Sequence, residues 1–404
     1  MLLKIGIRKN MRYPLGLILF NSLLDLDEIF MRLFCKYYKG YFILCFLIFL
    51  SQFLSGLIPL ILFKCKNRKK TKKKNINGFK LIEGIKTIKH ADSIYRILLL
   101  LFFAAYFNLI GTIVRRKYFS QINKDLPERD HFMEHRFKSI QIQVSALLSY
   151  LALKMKIYKH QKVSLITILI FLILIIIIDI IDDHPNLSKK IKYFLLSAFS
   201  NIARSFLDTI EKYLFDFNFL RPCSILLYEG IIGAVFFPLL LFIDNDSYED
   251  LREIKTISND SKTKYFLLII FFIFFLIINA FKNIYRVLTI QYYSSMTRAL
   301  AESILDPFVL IYYFCLIEKK ELNDSIYFVL IILCLLIIAF CSLVYNDFII
   351  LYFCGMEKNT YLEINKRSYN NLNNAILNEN DSDSDENDNN DDNVKLNNEL
   401  NLQN

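Results

Sequence analysis

The sequence predicts an all-α polytopic membrane protein with about ten transmembrane helices. Two observations carry that reading. Of 404 residues, 54% are hydrophobic and only 22% are charged, whereas a soluble chain of this length needs a far more polar surface. The apolar residues also come as long runs, such as 163–178, 265–278 and 328–340, with almost no charge inside them. Runs of this kind match a hydrocarbon slab of ~30 Å, in which only a helix satisfies its own backbone. The runs are built of Leu, Ile and Phe without period-two alternation, which argues against a β-barrel.

Nine segments read as spans: about 41–63, 91–114, 139–154, 163–183, 191–212, 221–243, 264–283, 296–317 and 325–353. A tenth, 13–35, is apolar over 13–24 and then carries Asp25, Asp27 and Glu28. It reads equally as a helix lying in the interface or as a crossing helix with its acids facing the bundle. The chain therefore divides into an N-terminal segment (1–40), a transmembrane domain (41–354) and an Asn- and Asp-rich tail (355–404). The tail has almost nothing that forms a core, so disorder is expected there. Ser382 and Ser384 stand among its acids, open to phosphorylation or simply solvated.

The net charge of +10 is concentrated in the block that opens the loop 64–90, directly after an apolar segment. Such a block is a topology determinant on the cytosolic side and touches anionic lipid, which argues against a nucleic-acid partner. With 64–90 in the cytosol, 154–162, a connection at 282–286 and the tail fall there too. The acidic connections 179–183 and 244–250 then fall outside or in a lumen. The basic loop 115–138 disagrees, because it lands on the far side. Endomembrane and plasma membrane both remain open as locations.

Ionisable groups inside spans must be paired, hydrated or used. Arg298, Glu302 and Asp306 are spaced i, i+4, i+8 and stack on one helical face, ahead of Pro307, where a kink is expected. They read as the wall of a water-filled path, or as an ion-pair ladder that fixes packing. Arg204, Asp208 and Lys212 repeat the i, i+4 spacing, with Glu211 alongside, and read as a salt-bridged gate or as a plain surface end. Glu229 lies within a span beside Gly230 and Gly233, which permit close helix approach; its carboxylate suits a cation or a proton. Arg286 reads as a side chain that snorkels to a phosphate layer or as an anion contact. Ser145 and Ser149 fit a helix–helix seam or a narrow pore lining.

Signals for an enzyme are weak. His131-Phe-Met-Glu134-His135 matches H-x-x-E-H, but it sits in a loop of about two dozen residues between spans, without the third ligand and supporting fold that catalytic zinc needs. There is no G-x-S-x-G, and ten glycines leave little scope for a phosphate-cradling loop. The eight cysteines form no C-x-x-C pair. No cofactor and no metal site is expected.

Three stretches carry a resemblance. The first is 136–149 (RFKSIQIQVSALLS) with 153–156 (LKMK) and 158–165 (YKHQKVSL). The second runs from 211–214 (EKYL) through 222–230 (PCSILLYEG). The third runs from 285–289 (YRVLT) through 295–307 (SMTRALAESILDP). Together they resemble the drug/metabolite transporter superfamily, in a divergent protist, EamA-like branch related to nucleotide-sugar transporters. The likeness extends over about 91–353. It implies a ten-helix fold of two inverted five-helix repeats around a central cavity. There the fourth and ninth helices line the cavity, which would place Ser145, Ser149, Arg298 and Glu302 on it.

The expected function is secondary transport of a small polar, anionic organic solute by alternating access. Arg298 would attract the anion, and Glu302, Asp306 or Glu229 would couple to protons or counter-charge; Arg204 and Asp208 would gate. The competing reading is a non-transporting membrane scaffold or receptor whose acidic tail recruits partners.

Overall fold

In a computed structural model of the chain, the structure describes residues 12–34, 41–71, 94–125, 136–182, 187–237, 246–313 and 326–347, with the single positions 349, 363 and 367. The H-x-x-E-H stretch, most of the basic loop, and Ser382 and Ser384 lie outside the described residues. The chain divides into two units, Met1–Ile349 and Ile350–Asn404. All helices named below belong to the first.

Among the described residues every secondary-structure element is a helix. The helices are α1 (Arg12–Phe34), α2 (Tyr41–Thr71), α3 (Ile94–Asp125), α4 (Ser139–Leu151), α5 (Lys159–Asp182) and α6 (Leu187–Asp216). They continue with α7 (Pro222–Phe236), α8 (Asp246–Asp260), α9 (Lys262–Tyr292), α10 (Ser295–Ser303), α11 (Asp306–Tyr313) and α12 (Ile326–Tyr345). Five segments, in α2, α3, α5, α9 and α12, are long and apolar enough to cross a membrane, and α1, α4 and α7 hold shorter apolar stretches. The molecule is arranged for lipid. On α5, Ile166 and Ile170 are 59% and 58% exposed, while Arg298 and Glu302 deep in the bundle are 1% and 0% exposed. Large aliphatic groups outside and charges inside invert the soluble pattern and fit a hydrocarbon solvent.

Local chemistry sets the breaks. The Ser294 hydroxyl caps α10 by accepting from the Thr297 N–H at 3.0 Å. The chain turns at Ile304 and Leu305 between α10 and α11, just ahead of Pro307, whose missing N–H and ring forbid a continuous helix. Pro222 opens α7 at its first position. Three helix ends close with a left-handed residue that is not glycine: Lys154 after α4, Phe219 after α6 and Asp347 after α12. A backbone bond that reaches back six residues follows each, from the Met155 N–H to the Ser149 carbonyl, Leu220 to Leu214 and Ile349 to Leu343.

The long helices pair antiparallel. In the α1–α9 pair, Tyr13 stacks on Tyr292 and Phe20 on Phe281. Between α3 and α6, Phe107 stacks on Phe206, and the Ser200 hydroxyl donates to the Gly111 carbonyl. In the α2–α7 pair, a Cβ on Gly230 would lie 2.3 Å from the Phe53 nitrogen and one on Gly56 2.6 Å from the Leu227 nitrogen. Only glycine permits that backbone approach. The remaining long pair is α5 with α12. The short amphipathic α8 packs on α9 and α2.

Three expectations change. Residues 282–286 are not a connection, because α9 runs on to Tyr292. Asp179 is not in a loop; it lies in α5, 4% exposed, and stays there because Arg136 pairs with it. The acidic connection at 244–250 leads into α8, whose helix starts at Asp246.

Candidate functional site

A cavity opens in the bundle between α1, α2, α3, α6, α9 and α10. Five cationic side chains line it: Arg115, Arg204, Lys282, Arg286 and Arg298. Asp25 is the one acid on the wall among the described residues, and the amides of Gln52, Asn108, Asn279 and Asn283 fill the spaces between the charges.

Helical spacing puts these groups together. On α9, Asn279, Lys282, Asn283 and Arg286 fall at i, i+3, i+4, i+7, one stripe of a helix whose other faces are apolar. On α3, Asn108, Thr112 and Arg115 follow the same rule, and on α6 Arg204 and Leu207 do.

Behind the wall stands a second layer of four carboxylates, Asp208, Glu211, Glu229 and Glu302, each at most 1% exposed. Arg298 bridges the layers. Its Nη1 donates to Asp208 Oδ2 at 2.6 Å and its Nη2 to Glu302 Oε1 at 2.9 Å. The Nη2 of Arg286 sits 2.8 Å from Glu211 Oε1 and 3.0 Å from Glu229 Oε2, and its Nη1 is 3.7 Å from Asp208 Oδ1. Arg204 Nη1 approaches Glu302 Oε2 at 3.9 Å. Amides complete the net. Gln141 donates to Asp208 at 3.1 Å, and Asn108 donates to Gln52 at 2.8 Å and to Glu229 at 3.4 Å. Arg204, Arg286 and Arg298 are thus anchored from behind while lining the cavity. Lys282 differs: it has no hydrogen-bond or ion-pair partner among the described residues.

The predicted residues separate into three groups. Arg204 and Arg298 lie on the wall. Asp208, Glu229 and Glu302 form the layer behind it and hold its arginines. Ser145, Ser149 and Asp306 lie apart from the lining. Ser149 shares a hydrogen bond of 3.1 Å with Ser295 in the α4–α10 seam, and Ser145 is fully buried with no hydrogen bond to its hydroxyl. Asp306 pairs with Lys138 at 3.2 Å, because the turn before Pro307 swings it off the Arg298–Glu302 face. The surface-end reading of 204–212 is also overturned, since Asp208 and Glu211 are fully buried. Lys212 turns to Asp216 at 3.1 Å and to the Gln291 carbonyl. Arg286 does not snorkel; at 4% exposure it is the hub of three carboxylates.

Sequence reasoning missed Arg115, Lys282 and the four amides. One signal was available: Asn279, Lys282, Asn283 and Arg286 make a polar stripe at helical spacing, once α9 is extended past residue 283.

Fold and site together define a helical membrane protein with a polar, cation-lined cavity enclosed in an apolar exterior. Comparison with known proteins finds no matching family model and no matching curated protein.

Proposed function

We propose that this chain is a secondary transporter that moves a small polar, anionic organic solute across a membrane by alternating access. The observation that carries the reading is the cavity itself: five cationic side chains face a space inside a bundle whose outer surface is aliphatic. Guanidinium and ammonium groups are costly in a membrane interior and are kept where cargo or ions must meet them.

The helix pairing supports the architecture of the drug/metabolite transporter superfamily. Take α10 and α11 as one broken helix and set aside the amphipathic α8, and ten helices remain. Exchange the first five with the second five, so that α1, α2, α3, α4 and α5 trade places with α6, α7, α9, α10–α11 and α12. The pair α1–α9 then becomes α6–α3, α2–α9 becomes α7–α3, and α4–α6 becomes α10–α1; all of these pairs are in contact. The pairs α2–α7, α4–α10 and α5–α12 map onto themselves. This is the pairing expected of two inverted repeats, with the cargo site at their interface.

Sidedness follows the same logic. Asp25 and Arg115 lie toward the C-terminal ends of α1 and α3, and Ile48 near the start of α2, so these lining residues share one side of the bundle. Contacts that close the structure gather at the opposite side: Tyr13 on Tyr292, Ser149 with Ser295, and Lys212 with Asp216 and Gln291. With the basic loop after α2 in the cytosol, this is the state open away from the cytosol and shut toward it.

The test is exchange in proteoliposomes. Folded, purified protein should accelerate counterflow of an organic anion, and Arg298→Gln should abolish it. Folded protein that moves none of a panel of nucleotide-sugars, phosphorylated metabolites and carboxylates would refute the proposal.

A further inference from the structure

We infer that the cargo is a compact phosphate monoester rather than a nucleotide or a nucleotide-sugar, an inference that rests on the transporter reading for its direction of travel but not for its binding site. Three features of the cavity lead there. The first is the shortage of apolar surface. In a chain with 37 Phe and 24 Tyr, no aromatic ring lines the cavity among the described residues, and its apolar lining is Leu24, Ile48 and Leu207. A nucleobase buys affinity by stacking on aromatic side chains, and here it would meet amides and charges.

The second feature is the arrangement of the cations. They come from four helices, α3, α6, α9 and α10, and so approach a central group from several directions. A phosphate offers three peripheral oxygens to such a ring of donors, while a planar carboxylate offers two. Arginine forks suit the phosphate geometry, and Lys282 supplies a point charge. The amides add donors and acceptors for the hydroxyls of a short polyol.

The third feature is the state of each cation. Arg286 and Arg298 are already held by carboxylates, whereas Lys282 is half-buried and has no hydrogen-bond or ion-pair partner among the described residues. A phosphate therefore gains most at Lys282, where nothing has to be displaced. Loss of this charge breaks no hydrogen bond or close ion pair of the buried network, so the variant is expected to keep its fold, and its melting curve checks that.

The experiment is titration calorimetry on the full chain in detergent with glycerol 3-phosphate, succinate, UDP-glucose and glycerol, followed by counterflow of the same compounds in proteoliposomes. Glycerol 3-phosphate should bind and the other three should bind at least about tenfold more weakly. Lys282→Gln should weaken glycerol 3-phosphate by about tenfold or more, Lys282→Arg should retain most of the affinity, and the exposed Lys255→Gln on α8 should change nothing. Tighter binding of UDP-glucose, equal binding of succinate, or an unaffected Lys282→Gln would overturn the assignment. Binding of glycerol 3-phosphate without counterflow would refute transport while leaving the ligand class standing. Counterflow of a different solute would do the reverse.

Discussion

Arg286 shows what single residues do in this protein. Its guanidinium lies among Asp208, Glu211 and Glu229, all fully or almost fully buried, so its removal strands negative charge where no water reaches. Breaking a buried pair from one side costs about 3–5 kcal/mol. Arg286→Gln should therefore lower the unfolding midpoint in detergent sharply, and adding Glu211→Gln and Glu229→Gln should recover part of the loss. If the single variant melts like the parent, the network is not as the structure has it. At this scale the sequence was half legible. The pair Arg298–Glu302 follows directly from its i, i+4 spacing and is present at 2.9 Å. The partners across helices were not legible, because Arg298 with Asp208 joins residues 90 positions apart and spacing carries no information at that distance. Asp306 shows the limit from the other side: its i+8 register predicted a shared face, and the turn before Pro307 removed it.

At the scale of elements, two seams decide what the bundle tolerates. The α2–α7 seam is so close that a methyl group on Gly230 would press on the Phe53 backbone at 2.3 Å. Gly230→Ala should destabilise by about 1–3 kcal/mol, as overpacking does. Gly111→Ala in the α3–α6 seam meets its nearest atom at 3.5 Å and should be tolerated; comparison of the two melting curves checks this. In the proposed cycle the α4–α10 seam is on the closed side; there the Ser149 and Ser295 hydroxyls are 3.1 Å apart, within reach of a disulfide after small adjustment. Oxidised Ser149→Cys, Ser295→Cys protein should lose counterflow and regain it on reduction. If flux is unchanged with the bond formed, this seam does not open during the cycle. Helix positions were readable from apolar runs, but their ends were not. α9 continues through the polar 282–286 stretch because that stretch faces the cavity and not the water, and hydropathy alone cannot distinguish these.

For the whole molecule, the structure reduces the one disagreement with the positive-inside pattern. The loop 115–138 holds seven Lys and Arg, an excess on the side where it was not expected. Three of them are not loop residues in any electrostatic sense: Arg115 lines the cavity, Arg136 pairs with Asp179 and Lys138 with Asp306. Interior cations answer to their partners and not to the membrane potential. The remaining bias favours a cytosolic 64–90 loop. A reporter placed at residue 80 should thus be modified only from the cytosolic side, and removal of 357–404 should leave counterflow intact. Abolition of function by that deletion, with normal folding, would favour a tail-dependent scaffold. The proposed repeat relation is not legible in the residues, because the two halves show no common sequence pattern. What supports it is the pairing of helices.

The non-glycine residues at three helix ends offer a practical handle. Lys154, Phe219 and Asp347 each hold a positive φ near 50–60°, a conformation that costs an L-residue roughly 1–2 kcal/mol and costs glycine nothing comparable. None of the three is on the cavity wall. Replacing Lys154 and Phe219 with glycine relaxes the backbone where it is tightest and touches none of the ion pairs described above, so two codon changes should raise the melting midpoint, whereas Asp347 has to stay because its carboxylate lies 3.0 Å from the Nε2 of the buried His160.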